Sequence, residues 1–271
     1  MKADRRQLLL ALAAGTAGVL AGCRDDATAT AAKKSGVVGA NRAKGAPKPP
    51  VPQLPPIPPP HPGAPEVVFE LPQKARIALT IDDGFSTRTV AAYVQFAEDS
   101  GIPLTFNPNG TYRAVWEPHA PVLRPLVARG QVQIANHTYS HASMTASGDA
   151  RIRREINRNE DWIQQTFGTT SRPWFRPPYG YHNKRTDEVA GELGFTRILM
   201  WNGTLGDSST VSAATLLAEA RRYMVPGTVL LGHANHPTVT HLYAELVQLI
   251  RDRNLQPGTL DQLFGTSRAQ G

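Results

Sequence analysis

Beyond residue 66, six short apolar runs alternate with segments of helical periodicity, and this alternation limits the possible folds more than any other feature of the chain. The runs cover 77–81, 104–107, 132–136, 174–176, 196–201 and 228–232. Apolar residues recur at spacings of three and four over 87–100, 120–128, 149–167, 184–193, 213–224 and 240–253, and glycines close several of these segments. Strand, helix and strand in repetition require parallel strands joined by right-handed crossovers. An open doubly wound sheet and a closed barrel both satisfy the pattern. Either way, chemistry belongs at the carboxyl ends of the strands.

Functional residues should therefore lie just past each run. Asp82-Asp83-Gly84 comes after the first, His137 after the third, Arg176-Pro177-Pro178-Tyr179 after the fourth, Trp201-Asn202 after the fifth and His233 after the sixth. Side chains alternate along a strand, so Asp82 and Asp83 are expected to point to different sides. In "NHTYSH", His137 and His141 are four residues apart, which on a helical turn places both imidazoles on one face. Two histidines and a carboxylate suit a divalent ion that keeps positions open for water and substrate. One of the two aspartates is then a ligand, and the other is free to act as a general base. No G-x-S-x-G elbow occurs, which argues against a serine esterase.

"LTIDDG", "HTYSH", "RPPYG" and "LGH", in that order, resemble the polysaccharide deacetylases, the NodB-homology domain of carbohydrate esterase family 4. The resemblance runs from about Leu79 to His233, with a similar ending in "NLQPGTLDQLF". It implies a distorted (β/α)7 barrel and one divalent metal, usually zinc, with cobalt or nickel as substitutes. By position, Asp83, His137 and His141 look like the ligands and Asp82 like the base. Arg176 resembles the arginine that orients the base. The Tyr179 N–H would donate to the oxyanion, and His233 would protonate the departing amine. The implied substrate is an acetylated glycan.

Several departures stand out. Thr204 occupies the place of an aspartate that tunes the catalytic histidine, and Asp207, three residues on, is the candidate replacement. Ala234 stands where an acid often comes after the histidine. His236 and His241 are extra and read as rim or packing residues. In "TFNPNG", Asn107 and Asn109 either face a polar substrate or cap a turn. The Thr204 departure motivates an alternative, a catalytically weakened carbohydrate-binding protein that keeps the groove.

The N-terminal end sets the expected location. Residues 1–22 have a twin-arginine-like start, Arg5-Arg6, and an apolar run of about 13 residues, where a membrane span needs roughly 20. "LAGC" resembles a lipobox that leaves Cys23 as a lipidated N-terminus. Cys23 is the single cysteine, so no intramolecular disulfide forms. Residues 23–65 read as a disordered linker ending in 11 prolines within 19 residues, a semi-rigid stalk. The domain is expected over 66–271. Of the net charge of +7, residues 1–22 hold +2 and 23–65 hold +4, so the domain is nearly neutral and carries no nucleic-acid signature. The expected protein is a monomer on the outer face of the cytoplasmic membrane, lipid-anchored and acting on the cell wall or a related glycan. In fractionated cells the native chain should sediment with membranes, and Cys23→Ser should move it to the soluble fraction.

Overall fold

The computed structural model describes residues 57, 59–72 and 75–266. The leader, Cys23 and the stalk up to residue 56 lie outside the described residues. Among those described are nine strands: β1 Glu66–Val68, β2 Arg76–Asp83, β3 Leu104–Pro108, β4 Val132–Ile134, β5 Trp174–Phe175, β6 Arg197–Leu199, β7 Gly203–Thr204, β8 Thr228–His233 and β9 Gln256–Pro257. Every ladder between these strands is parallel, as the alternation requires.

Two sheets form, in the orders β1-β6-β5 and β4-β3-β2-β8-β7, with β9 beside the start of β2. They are stitched at two places. A parallel bridge joins Asn136, just past β4, to Phe175 of β5. On the other side the chain runs directly from β6, in one sheet, into β7, in the other. The strands therefore follow one another in a ring, bridged at one seam and joined by the chain itself at the other, with β2 and β5 across from each other. β2 is buried from Ile77 through Asp83, as a run flanked by β3 and β8 must be.

The helices cover the outside. Thr87–Ser100 starts on a Ser86 cap and stops at Gly101, and Asp149–Phe167 turns Ile152, Ile156 and Ile163 inward and stops at Gly168. The expected helix over 240–253 is shorter, Tyr243–Asp252, because Pro237–His241 forms a tighter 3-10 turn first. Expected strands at 132–136, 174–176 and 196–201 are also shorter. Their last residues leave the ladder to carry the site. β1, β7 and β9, two or three residues long, lie outside the expected runs. The expected disorder to Pro65 also needs correction at its end. The Gly63 carbonyl and Pro65 lie against Gly191, and Pro60 against Gly194.

Gly84 closes β2 at φ +103, and a Cβ there would sit 2.3 Å from the Trp116 indole nitrogen. Gly84→Ala combines backbone strain with overpacking, so it should cost about 2–4 kcal/mol in urea unfolding with an unchanged m-value.

Candidate metal and acid-base site

β2 delivers both aspartates, but not by simple alternation. Asp83 has φ 66, a left-handed turn that swings its carboxylate back beside that of Asp82. Both face the His137 Nε2, Asp82 Oδ2 at 3.7 Å and Asp83 Oδ1 at 3.5 Å. The expectation that they diverge is corrected by that one dihedral. His137 and His141 also meet by a different route from the helical turn expected. The segment is a loop with Thr138 at φ 65 and His141 at φ 56, and the two rings lie 4.9 Å apart, edge to face.

That loop is held from all sides. Asn109 Nδ2 donates to the His137 and Thr138 carbonyls at 2.6 and 2.9 Å. Asn136 Oδ1 accepts from Thr138 N, and the Glu155 carboxylate accepts from Ser140 N and Oγ. Tyr139 packs so closely on Gly110 that a Cβ there would come within 2.4 Å of the ring.

Asp83 Oδ2 accepts from Asn235 Nδ2 at 2.7 Å, and its carbonyl accepts from Trp116 Nε1 at 3.0 Å. Asp83 Oδ1 is buried without a hydrogen-bond donor. It sits 3.4 Å from His141 Nε2, and one donor atom from each of Asp83, His137 and His141 falls within 4.8 Å of the others. His137 Nδ1 lies 2.7 Å from the Arg176 carbonyl, to which it donates as Nδ1–H, leaving the Nε2 lone pair toward Asp83. One carboxylate oxygen and two imidazole nitrogens gathered within this distance fit a divalent cation.

The electrostatics agree. Burial raises the Asp83 pKa, but the imidazoles around it, His137 foremost, outweigh burial and hold the carboxyl below the usual range. Burial lowers His137, yet Asp82 and Asp83 prevail and raise it. Burial and the His137 charge push His141 down to about 4.

Asp82 is tied down on one oxygen only. Its Oδ1 accepts from Asn107 Nδ2 at 2.6 Å and from Arg176 at 2.9 Å. Arg176 is fully buried, donating also to Thr80 Oγ1 and to the Leu199 and Met200 carbonyls. His233 ends β8 opposite Asp82 in register. Asp207 grips it twice, Oδ1 at 3.0 Å from Nδ1 and Oδ2 accepting from its main-chain N at 3.1 Å. Burial lowers the imidazole's pKa, but Asp207, with help from Asp82, raises it above its ordinary value. Thr204, by contrast, accepts from Gly206 N. Tyr179, at φ 60, lays its ring edge on His141 at 4.5 Å. The hydrogen bonds of its turn start at Gly180 and Tyr181, so its N–H stays outside them.

The structure thus brings Asp82, Asp83, His137, His141, Arg176, Tyr179 and His233 to one mouth. Asn107 and Asn109 neither face substrate nor cap a turn; they hold Asp82 and the histidine loop. His236 bonds Thr210, and His241 lies against Arg88, as rim residues. Asn235 went unread in the sequence, although it fixes both Asp83 and the Gly84 N–H. Its only signal is a buried polar residue two places past His233.

Known proteins share this sequence pattern and fold. A family model described as polysaccharide deacetylase matches residues 70–198. The bifunctional xylanase/xylan deacetylase of Cellvibrio japonicus is 29% identical over 71% of this chain, which spans 28% of that protein. The peptidoglycan-N-acetylglucosamine deacetylase of Bacillus cereus is 26% identical over 72% of this chain and 70% of its own length. Among solved structures, a family 4 carbohydrate esterase from Streptomyces lividans in complex with acetate superposes with TM-score 0.60 at 26% identity, covering 69% of this chain and 93% of that one. A CE4 family pseudoenzyme from Bacillus anthracis superposes at 0.65 and 19% identity, over 74% of this chain and 69% of its own, a likeness of fold alone.

Asp207 raises the His233 pKa, so the imidazolium persists to higher pH with it than without. In an NMR titration of the ring carbons, Asp207→Asn should lower the His233 midpoint, the charge being lost earlier as pH rises.

Proposed function

This chain belongs to the polysaccharide deacetylase family, and on that premise we propose that it is a metal-dependent hydrolase removing acetyl groups from an N-acetylated glycan. The observation that carries the reading is the donorless Asp83 Oδ1 facing two imidazole nitrogens, beside a second carboxylate with one oxygen left free. The ring of parallel strands is read as the distorted (β/α)7 barrel of the family.

Asp83, His137 and His141 would hold a divalent ion, zinc first, with cobalt or nickel able to replace it. When bound, the ion supplies Lewis acidity for an acetamide carbonyl and lowers the pKa of a water. Asp82 takes the proton from the attacking water. Arg176 and Asn107 occupy its Oδ1, keeping the carboxylate oriented with Oδ2 toward the site. As the new C–O bond forms, the Tyr179 N–H is the chain's donor to the developing oxyanion. His233, charged through Asp207, gives its proton to the nitrogen as the C–N bond breaks. An amine leaves poorly unprotonated, so a histidine with a raised pKa suits this step. The weakened-binder alternative rested on Thr204, and the grip of Asp207 on His233 removes that motive.

Location narrows the substrate. Lipidation at Cys23 and a stalk ending ahead of Pro60 would place the domain near the wall, which favours peptidoglycan over chito-oligomers or acetylated xylan. The protein is read as a monomer in this setting.

Elemental analysis of the purified protein should find about one divalent ion per chain, lost in Asp83→Ala. Acetate release from an acetylated chito-oligomer should vanish with chelator and return with zinc or cobalt. Asp82→Asn should keep the metal yet lose about 10²–10⁴-fold in kcat. Metal-independent acetate release would overturn the mechanism.

A further inference from the structure

We propose that Tyr93 and Tyr243 are positioning residues of the proton donor: their buried hydroxyls donate, through bound water, to the Asp207 carboxylate and keep it aimed at His233. The part this plays in a reaction rests on the hydrolase reading, whereas the hydrogen-bond network stands apart from it.

Asp207 comes three residues after Thr204, the last residue of β7, so a loop carries it and no ladder fixes it. The residue is nonetheless only 2% exposed. A carboxylate offers about four acceptor positions. Among the described residues the Asp207 carboxylate fills two of them, both with His233, through its main-chain N and its Nδ1. The side chain is thus held by the group it serves. Buried acceptor capacity left unfilled is unfavourable, so further donors are expected close by.

Tyr93 lies on helix Thr87–Ser100 and Tyr243 opens helix Tyr243–Asp252, with the two rings 5.4 Å apart. Both hydroxyls are buried and have no hydrogen-bond partner among the described residues. Gly232, directly before His233, lets the first of them approach. A Cβ there would sit 3.4 Å from the Tyr93 hydroxyl and 3.2 Å from Cδ1 of Leu205, two residues before Asp207. The Tyr93 hydroxyl therefore lies against the part of β8 whose next N–H binds Asp207. Burial foremost, and then the Asp207 charge, push both phenols above their ordinary pKa, which keeps both protonated as donors. Two donors without acceptors and an acceptor with lone pairs to spare share one buried region. They form no direct bond, and buried water joins polar groups placed in this way. As packing residues alone, phenylalanines would fill the same space without stranding a hydroxyl.

The test uses the full-length protein with Tyr93→Phe and Tyr243→Phe, each alone and combined with Asp207→Asn. Removing a hydroxyl that bonds nothing raises the urea midpoint, and removing a bridged one lowers it. Both single variants should lower it. A crystal structure of the native protein should show a water within hydrogen-bonding reach of the Tyr93 hydroxyl and the Asp207 carboxylate. The charged groups around His233 are Asp207, Asp82 and Asp83, with the His141 ring beyond, and the tyrosine changes reach the imidazole through Asp207. In the NMR titration each single variant should therefore lower the His233 midpoint by about 0.3–1 unit, with no further fall where Asp207 is already Asn. Acetate release should lose about 3- to 10-fold in kcat with KM held. A raised urea midpoint overturns the proposal, as does an unchanged His233 midpoint, the same fall with and without Asp207, or no bridging water. Should the native protein release no acetate, the hydrolase reading falls, and the urea, crystal and NMR results still decide the network.

Discussion

The site turns on one close approach: a buried carboxylate oxygen of Asp83, without a hydrogen-bond partner, stands 3.5 and 3.4 Å from the ring nitrogens of His137 and His141. Polar atoms buried this closely are costly unless positive charge lies among them. Much of the surrounding structure can be understood as the means of enforcing that approach. Asn235 and Trp116 hold Asp83, Asn109 and Glu155 hold the histidine loop, and the Arg176 carbonyl fixes one ring.

Arg176 links that centre to its neighbour. Its carbonyl orients His137 while its guanidinium neutralises Asp82, so one fully buried residue sets a candidate ligand and the adjacent acid together. Burial draws its pKa below the ordinary value, against the opposing pull of Asp82, and its guanidinium donates to Thr80, Asp82, Leu199 and Met200. Removing either member of such a pair leaves a stranded charge, typically worth about 3–5 kcal/mol. The same bond that poises the site also ties β2 to the sheet across from it.

Strand and helix order was legible because burial imposes periods: β2 reads as a continuous apolar run, and Asp149–Phe167 as a stripe. The chemistry-bearing residues were legible by position, each falling after a strand. What the sequence concealed was backbone handedness. Nothing in Asp83, Thr138, His141 or Tyr179 announces a positive φ, since tertiary contacts impose it. Alternation and helical spacing therefore gave the right partners by the wrong routes. Asp207 was readable only as a candidate, because loop residues 205–206 obey no period. Asn235 was invisible, as a satisfied polar residue looks like any other until its partners are known. β1, β7 and β9 went unread because no apolar run marks them, whereas the equally short β5 sits in one.

The left-handed residues have a consequence for how this domain can drift. Of the six described non-glycine residues in a conformation that glycine adopts at less cost, four, Asp83, Thr138, His141 and Tyr179, lie at the site, three of them at positions whose chemistry glycine lacks or would loosen. Selection for sturdiness alone would erode those positions first. A lineage released from the demands of this site would be expected to gain robustness as it lost these side chains.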